Sequence, residues 1–60
     1  MKERIYVVTG HDLLSGESHT VVVCATNKRV AISHAYHEVV RRGWTEDVQW
    51  WVIDDVIEEV

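Results

Sequence analysis

Four histidines and one cysteine are the side chains of this chain best suited to bind a metal. His34 and His37 are three residues apart in a stretch that we expect to be helical, so they should be neighbours on one face. A zinc site would need two further ligands at the same point, and the candidates by residue type are His11, Asp12, His19 and Cys24. Because the close Cys and His spacing of structural zinc sites is absent, we expect neither a metal site nor another cofactor.

The acidic residues do not form a recognisable catalytic arrangement. Asp54 and Asp55 are adjacent in a predicted strand, so their side chains should point to opposite faces and cannot share a proton. The sequence contains no nucleophile elbow, phosphate-binding glycine loop or metalloprotease helix. A ligand pocket of about 300 Å³ or more would be difficult to build beneath one short helix. The sequence therefore predicts a protein that is not an enzyme and has no catalytic residues.

Charge is distributed unevenly along the chain, whose net charge is −4. The region after residue 45 contains no lysine or arginine and carries the acids Glu46, Asp47, Asp54, Asp55, Glu58 and Glu59. The predicted helix is basic and carries Lys28, Arg29, Arg41 and Arg42. Nonspecific nucleic-acid binding depends on neutralising phosphates, so the acidic total argues against a nucleic-acid partner. A rival hypothesis is a small nucleic-acid-binding protein that uses the helix cations and stacks bases on Tyr6 or Trp51.

Two strands and a turn are predicted in the first half of the chain. Residues 3–9 and 18–25 are rich in β-branched and aromatic side chains, which favour strands. Ser15 and Gly16 lie between them and form the expected turn, in which glycine can adopt a positive φ. The two strands should therefore form a hairpin.

A helix is predicted to start after Thr26 or Asn27 as the N-cap and to end at Gly43. Placing residues at about 100° steps puts a set of apolar side chains on its inner face: Ala31, Ile32, Ala35, Tyr36 and Val39. The opposite side of the helix should carry Val30, His34, His37 and Arg41.

A third strand is predicted over residues 48–54, and residues 55–60 fit either a continuation of it or a short helix. A right-handed crossover from the second strand to the third can pass over the first strand, which places the first strand in the centre. The predicted fold is a single compact domain over residues 1–60, of class α+β and order ββαβ. It has a three-stranded antiparallel sheet of order 2-1-3 with one helix packed on one face.

Both faces of this sheet are predicted to be apolar, although one helix can cover only one of them. A half-buried strand normally alternates apolar with polar side chains, and these strands do not. We expect the uncovered face to carry Tyr6, Val8, Val22 and Trp51 or Ile53. Because an apolar patch of that size is typical of an interaction surface, the sequence predicts a homodimer through the open face. The exposed side of the helix supplies further candidates for partner binding, namely His34, His37 and Arg41.

The layout of the chain resembles that of short ββαβ proteins encoded by phages and plasmids. The resemblance consists of a strand, a Ser-Gly-Glu turn, a Thr-Val-Val-Val strand ending in alanine, and a helix with alanines four residues apart. Here these features are residues 5–9, 15–17 and 20–25, followed by Ala31 and Ala35. Some such proteins are inhibitors of host defence, such as anti-CRISPRs. The resemblance implies an inhibitor or regulator of a host protein, whose acidic residues would mimic nucleic acid, as an alternative function.

The main functional prediction is a small, acidic, non-catalytic protein-interaction domain. The chain opens Met-Lys-Glu-Arg and passes directly into a predicted strand, so we expect no signal peptide. No apolar run approaches the ~18 residues that a membrane span requires. We therefore expect a cytoplasmic protein without a membrane partner.

Overall fold

The computed structural model describes residues 2–59 and confirms the predicted architecture. Its strands β1 (Arg4–Asp12), β2 (Ser18–Ala25) and β3 (Trp51–Glu59) form an antiparallel sheet in the order β2-β1-β3. The helix α1 (Lys28–Arg41) packs on one face of the sheet. The fold is therefore α+β with the order ββαβ. Among residues 2–59, no helix has the length and apolar character needed to cross a membrane.

The helix begins after Asn27, one of the two predicted N-cap residues, and ends just before the predicted stop at Gly43. The Asn27 side chain accepts a hydrogen bond of 2.9 Å from the Val30 N–H and caps the first turn. At the other end Gly43 has a φ of 75°, and its N–H donates to the Val40 carbonyl at 3.0 Å. The Trp44 N–H then donates to the Val39 carbonyl at 2.9 Å. These two bonds satisfy carbonyls of the last turn and redirect the chain toward β3.

The third strand begins later than predicted. Val48–Trp50 form one turn of 3-10 helix, and the Asp47 side chain caps this turn by accepting from the Gln49 N–H. β3 then continues to Glu59, so residues 55–59 prolong the strand, which is one of the two predicted alternatives; residue 60 lies outside the described residues. Trp50 and Trp51, predicted as neighbours in one strand, therefore belong to different elements.

The core lies between α1 and the sheet. Ala31, Ala35 and Val39 are fully buried along the inner side of the helix. The two alanines have small side chains, so the helix axis can lie close to the strands. The buried sheet residues that complete this core are Tyr6, Val8, Val21, Ala25 and Trp51.

Tyr6 and Val8 lie on the face that α1 covers, so their predicted placement on the open face is wrong. Tyr6 pairs with Val23, and Val8 pairs with Val21, which places these four side chains on one face. The prediction grouped Tyr6 and Val8 with Val22 instead. That grouping requires a pairing shifted by one residue, and such a shift moves every side chain of a strand to the other face.

Trp51 and Ile53 also lie on the covered face, which contradicts their predicted placement. Trp51 is buried, and Ile53 packs against the same core. Gly10 makes room for the indole of Trp51. A Cβ at Gly10 would lie 2.7 Å from Trp51 Nε1 and 2.4 Å from the Val52 carbonyl oxygen. Of the residues predicted for the open face, Val22 is the one that lies there.

Candidate functional site

An apolar row crosses all three strands on the sheet face that α1 leaves uncovered. Val7 in the central strand pairs with Val22 of β2 and with Ile57 of β3. Val22 is 64% exposed and Ile57 54% exposed, while Val7 is partly buried between them. The neighbouring row adds Ile5, which is 47% exposed, and the exposed Cys24. We call this surface the open face and define it by these five residues.

Polar pairs border the open face toward the hairpin end of the sheet. The hydroxyls of Thr9 and Thr20 lie 3.1 Å apart and share a hydrogen bond. Beyond them, His11 Nδ1 lies 2.8 Å from Asp54 Oδ2. The polar groups nearest to the apolar row therefore bond to one another. The apolar row is the part of the face whose removal from water would be most favourable in free energy.

A β-bulge places both central aspartates of β3 on the side of the open face. Thr9 pairs with Asp55 whereas Gly10 pairs with Ile53, so Asp54 is an extra residue in β3. Asp55 therefore shares the face of Thr9, and Asp54 contacts His11 on that same face. The prediction that the two aspartates point to opposite faces is wrong because it assumed a regular strand.

His34, His37 and Arg41 are exposed on α1 as predicted, whereas Val30, predicted on the same side of the helix, is partly buried against the core. Because α1 covers the other face of the sheet, these residues are on the side of the molecule away from the open face. His34 Nδ1 lies 3.1 Å from the Cys24 carbonyl oxygen. A carbonyl only accepts hydrogen bonds, so His34 carries a proton on Nδ1. The predicted partner-binding residues are therefore divided among the core, the open face and the helix.

Glu38 forms ion pairs with both arginines at the end of α1. Arg41 and Arg42 both donate hydrogen bonds to its carboxylate. The bonds from Arg41, followed by the bond from Arg42, lower the pKa of Glu38 from 4.5 to about 2. The same pairing raises the pKa of Arg41 above its ordinary value. Glu38 thus offsets part of the positive charge in the last turn of the helix.

A buried carboxylate fixes the hairpin end to the segment between α1 and β3. Asp12 accepts hydrogen bonds from the Thr45 hydroxyl at 2.7 Å and from the Ser15 N–H at 2.9 Å. The bond from Thr45 is the main reason why the pKa of Asp12 lies below its ordinary value. Sequence reasoning missed this pair because Thr45 is 33 residues away along the chain. The Asp12-to-Ser15 spacing is the local signal that could have indicated the turn.

A cleft of about 690 Å³ lies beside this buried pair, and Trp44 forms part of its wall. The imidazole of His19 stacks on the Trp44 indole at a centroid distance of 4.2 Å and an interplanar angle of 4°. The Arg42 guanidinium lies 4.9 Å from the centroid of the same indole. Both contacts use the ring itself, so the indole has little free face for stacking a ligand. We interpret this cluster as packing that closes one end of the domain.

A groove of the size of a ligand site lies beside the helix, not beneath it. It has a volume of about 530 Å³ and is open to solvent. The groove lies between α1 and the 3-10 turn Val48–Trp50, because this turn projects beside the helix. The prediction considered only the space beneath the helix, which the core side chains fill.

The structure removes the base-stacking part of the nucleic-acid hypothesis. Tyr6 and Trp51, the two proposed stacking residues, are both buried in the core and cannot reach a base. Within residues 2–59, no three His, Cys, Asp or Glu side chains come together as a group that could hold a metal ion.

The open face is therefore our candidate functional site. No family model, curated protein or solved structure matches the chain in the comparisons with known proteins.

Proposed function

We propose that this protein is a non-catalytic interaction domain that forms a homodimer through the open face. The observation that carries the proposal is the continuous apolar row formed by Val22, Val7 and Ile57. Removing apolar surface from water is favourable by about 25 cal/mol per Å². Contiguous exposed apolar patches are typical of interaction sites, so a second cover on this face stabilises the molecule.

The distribution of charge supports a second copy of the chain as the partner. On the side of the open face, β3 carries Asp54, Asp55 and Glu59, whereas β2 carries no acidic side chain. A two-fold axis parallel to the strands stacks β1 on β1 and β2 on β3. This arrangement brings apolar rows together without opposing the acids of the two copies.

The size of the face sets the expected strength of the dimer. Three strands spaced about 4.8 Å apart, each rising about 3.3 Å per residue, give a face of roughly 400 Å². Two faces together bury on the order of 800 Å², which is less than the ~1,200–2,000 Å² of standard stable complexes. We therefore expect a reversible dimer with a Kd on the order of micromolar.

Sedimentation equilibrium of wild type and two matched variants tests this proposal. The wild-type mass should rise from the 7.0 kDa of the monomer toward twice that value as concentration increases through the micromolar range. Val22→Lys places a charge in the apolar row and should keep the protein monomeric. Val48→Lys makes the same change at a valine that is 45% exposed but lies beside α1, and it should leave the dimer intact. Loss of the dimer in the Val48 variant alone would contradict the proposal.

A second candidate function is the inhibition or regulation of a basic host protein by the acidic strand. The observation that favours it is that β3 is an edge strand with exposed Asp54, Asp55, Glu58 and Glu59. A pull-down from host extract with wild type and an Asp54→Asn, Asp55→Asn variant tests this function. It requires a partner that the variant loses and that moderate salt releases, because salt screens exposed charges. A partner that binds both proteins equally at high salt would contradict it.

A further inference from the structure

A second surface, distinct from the open face, combines an apolar floor with cations at its ends. The groove of about 530 Å³ beside α1 continues into one of about 440 Å³, because Tyr36, His37 and Val48 line both. We call the joined surface the helix groove. It extends along the helix from Arg29 to Arg41.

Side chains one helical turn apart form the apolar floor of the helix groove. Ile32, Tyr36 and Val40 are spaced four residues apart and therefore lie on one side of α1. Val48 of the 3-10 turn faces this stripe across the groove. Val40 and Val48 are both exposed in this structure, so a ligand can still bury apolar surface here.

The charge of the helix groove is opposite to that of the whole molecule. The protein has a net charge of −4, yet no Asp or Glu among residues 2–59 lines the groove. Arg29 lies at one end and makes no ion pair with any other residue in the described part of the chain. Arg41 at the other end is already bound to Glu38. The unneutralised positive charge is therefore at the Arg29 end.

We propose that the helix groove binds a short segment of a protein partner, apolar in its centre and acidic at the end that meets Arg29. The thirteen residues from Arg29 to Arg41 span about 18 Å along the helix axis, which matches roughly five residues of extended chain. An open, elongated groove suits a peptide better than an enclosed small molecule. The acid of the segment pairs with Arg29, and its apolar side chains cover Ile32, Tyr36 and Val48.

Selection of phage-displayed random heptapeptides on the wild-type protein tests this site without assuming a sequence. The enriched peptides should carry apolar residues followed or preceded by Asp or Glu. When an enriched peptide is added, the protein's amide chemical shifts should change at the helix groove and not at the open face. Basic or uncharged enriched peptides, perturbations confined to the open face, or no enrichment would each overturn the proposal.

Two matched charge reversals locate the acidic end of the bound peptide. Arg29→Glu should weaken binding of a selected peptide by about fivefold or more, because it replaces an attractive contact by a repulsive one. Lys28→Glu changes the net charge equally from the adjacent position, but Lys28 does not line the groove. It should weaken binding less than twofold. Equal effects of the two variants would overturn the assignment of Arg29.

The peptide site and the dimer can fail independently of each other. Val22→Lys changes the open face only, so it should leave the affinity for a selected peptide unchanged. If Val22→Lys abolished peptide binding, the peptides would be bound by the open face and the helix-groove proposal would be wrong. A monomeric wild type that still binds acidic peptides in the groove would contradict the proposed dimer alone.

Discussion

At the residue scale, Gly10 decides how Trp51 packs on β1. A Cβ at this position would lie 2.4 Å from a backbone oxygen, which cannot move without disturbing the pairing of β1 with β3. We expect Gly10→Ala to lower the free energy of unfolding by about 1–3 kcal/mol or more. Urea denaturation followed by tryptophan fluorescence measures this change.

The control for Gly10 is another glycine whose surroundings are open. Gly16 has a φ of 78°, and apart from its own and its two neighbours' atoms, nothing in residues 2–59 lies within 4 Å of an added Cβ. Gly16→Ala should therefore cost only the conformational strain of a positive φ, about 1–2 kcal/mol. If Gly10→Ala lowered the free energy of unfolding no more than Gly16→Ala does, the close approach of Trp51 would not be the reason why residue 10 is glycine.

Two carboxylates make the stability of the fold sensitive to acid. The pKa of Glu38 is lowered from 4.5 to about 2 by Arg41 and Arg42, and the pKa of Asp12 is lowered by the hydrogen bond from Thr45. A carboxylate whose pKa is lowered in the folded state stabilises that state at pH values above the pKa of the same group in the unfolded chain. This contribution is lost as the pH falls through the folded value. We therefore expect Tm to fall as the pH decreases from about 4.5 to about 2.

Thermal melting of wild type and Glu38→Gln across this pH range checks the assignment. The variant cannot lose an ionised Glu38, so its Tm should fall less steeply than that of the wild type between pH 4.5 and 2. Thr45→Val should likewise reduce the contribution of Asp12, because it removes the main donor to that carboxylate. Parallel curves for wild type and Glu38→Gln would contradict the role of the Glu38 pairs.

At the element scale, the small residues on α1 set the distance between helix and sheet. Ala35 is fully buried against the strands, so Ala35→Leu should overpack this contact and cost roughly 1–3 kcal/mol. His37→Ala changes an exposed side chain of the same helix and should cost within about 0.5 kcal/mol. Urea denaturation of both variants measures the two costs. The opposite order would mean that the inner face of α1 is assigned wrongly.

The elements themselves were largely predictable from the chain, because their boundaries depend on local signals. Asn27 and Gly43 act on adjacent backbone groups, and these residues indicated both ends of α1 correctly. The start of β3 was not predicted, since Val48 and Trp50 are strand-forming residues that here form a 3-10 turn. The hydrogen bond that the Gln49 N–H donates to the Asp47 side chain favours this turn over the strand.

The faces of the strands were less predictable, because alternation carries little information when both faces are apolar. Val21, Val22 and Val23 are alike in type, so composition does not show which of them pairs on the side of Tyr6. The pairing register of β1 with β2 determines which valines lie on the side of Tyr6, and this register depends on the geometry of the hairpin between the two strands. The bulge at Asp54 reverses the alternation along β3 and is a second feature that local patterning does not reveal.

At the scale of the whole molecule, the presence of apolar side chains on an uncovered face of the sheet was predictable, whereas the identity of most of them was not. Apolar residues are too numerous on the strands for one helix to cover, and the exposed Val22 and Ile57 agree with that imbalance. The helix groove was missed because it depends on the 3-10 turn beside α1. The two surfaces are on opposite sides of the sheet, so a dimer through the open face leaves both helix grooves accessible.

Isotope-filtered NOE spectroscopy on a mixture of labelled and unlabelled protein tests the central claim most directly. It detects only contacts between copies and identifies the side chains involved. We predict intermolecular NOEs among the methyl groups of Val7, Val22 and Ile57 at concentrations above the Kd. Intermolecular NOEs from Val40 and Val48 instead, or none at millimolar concentration, would contradict dimerisation through the open face.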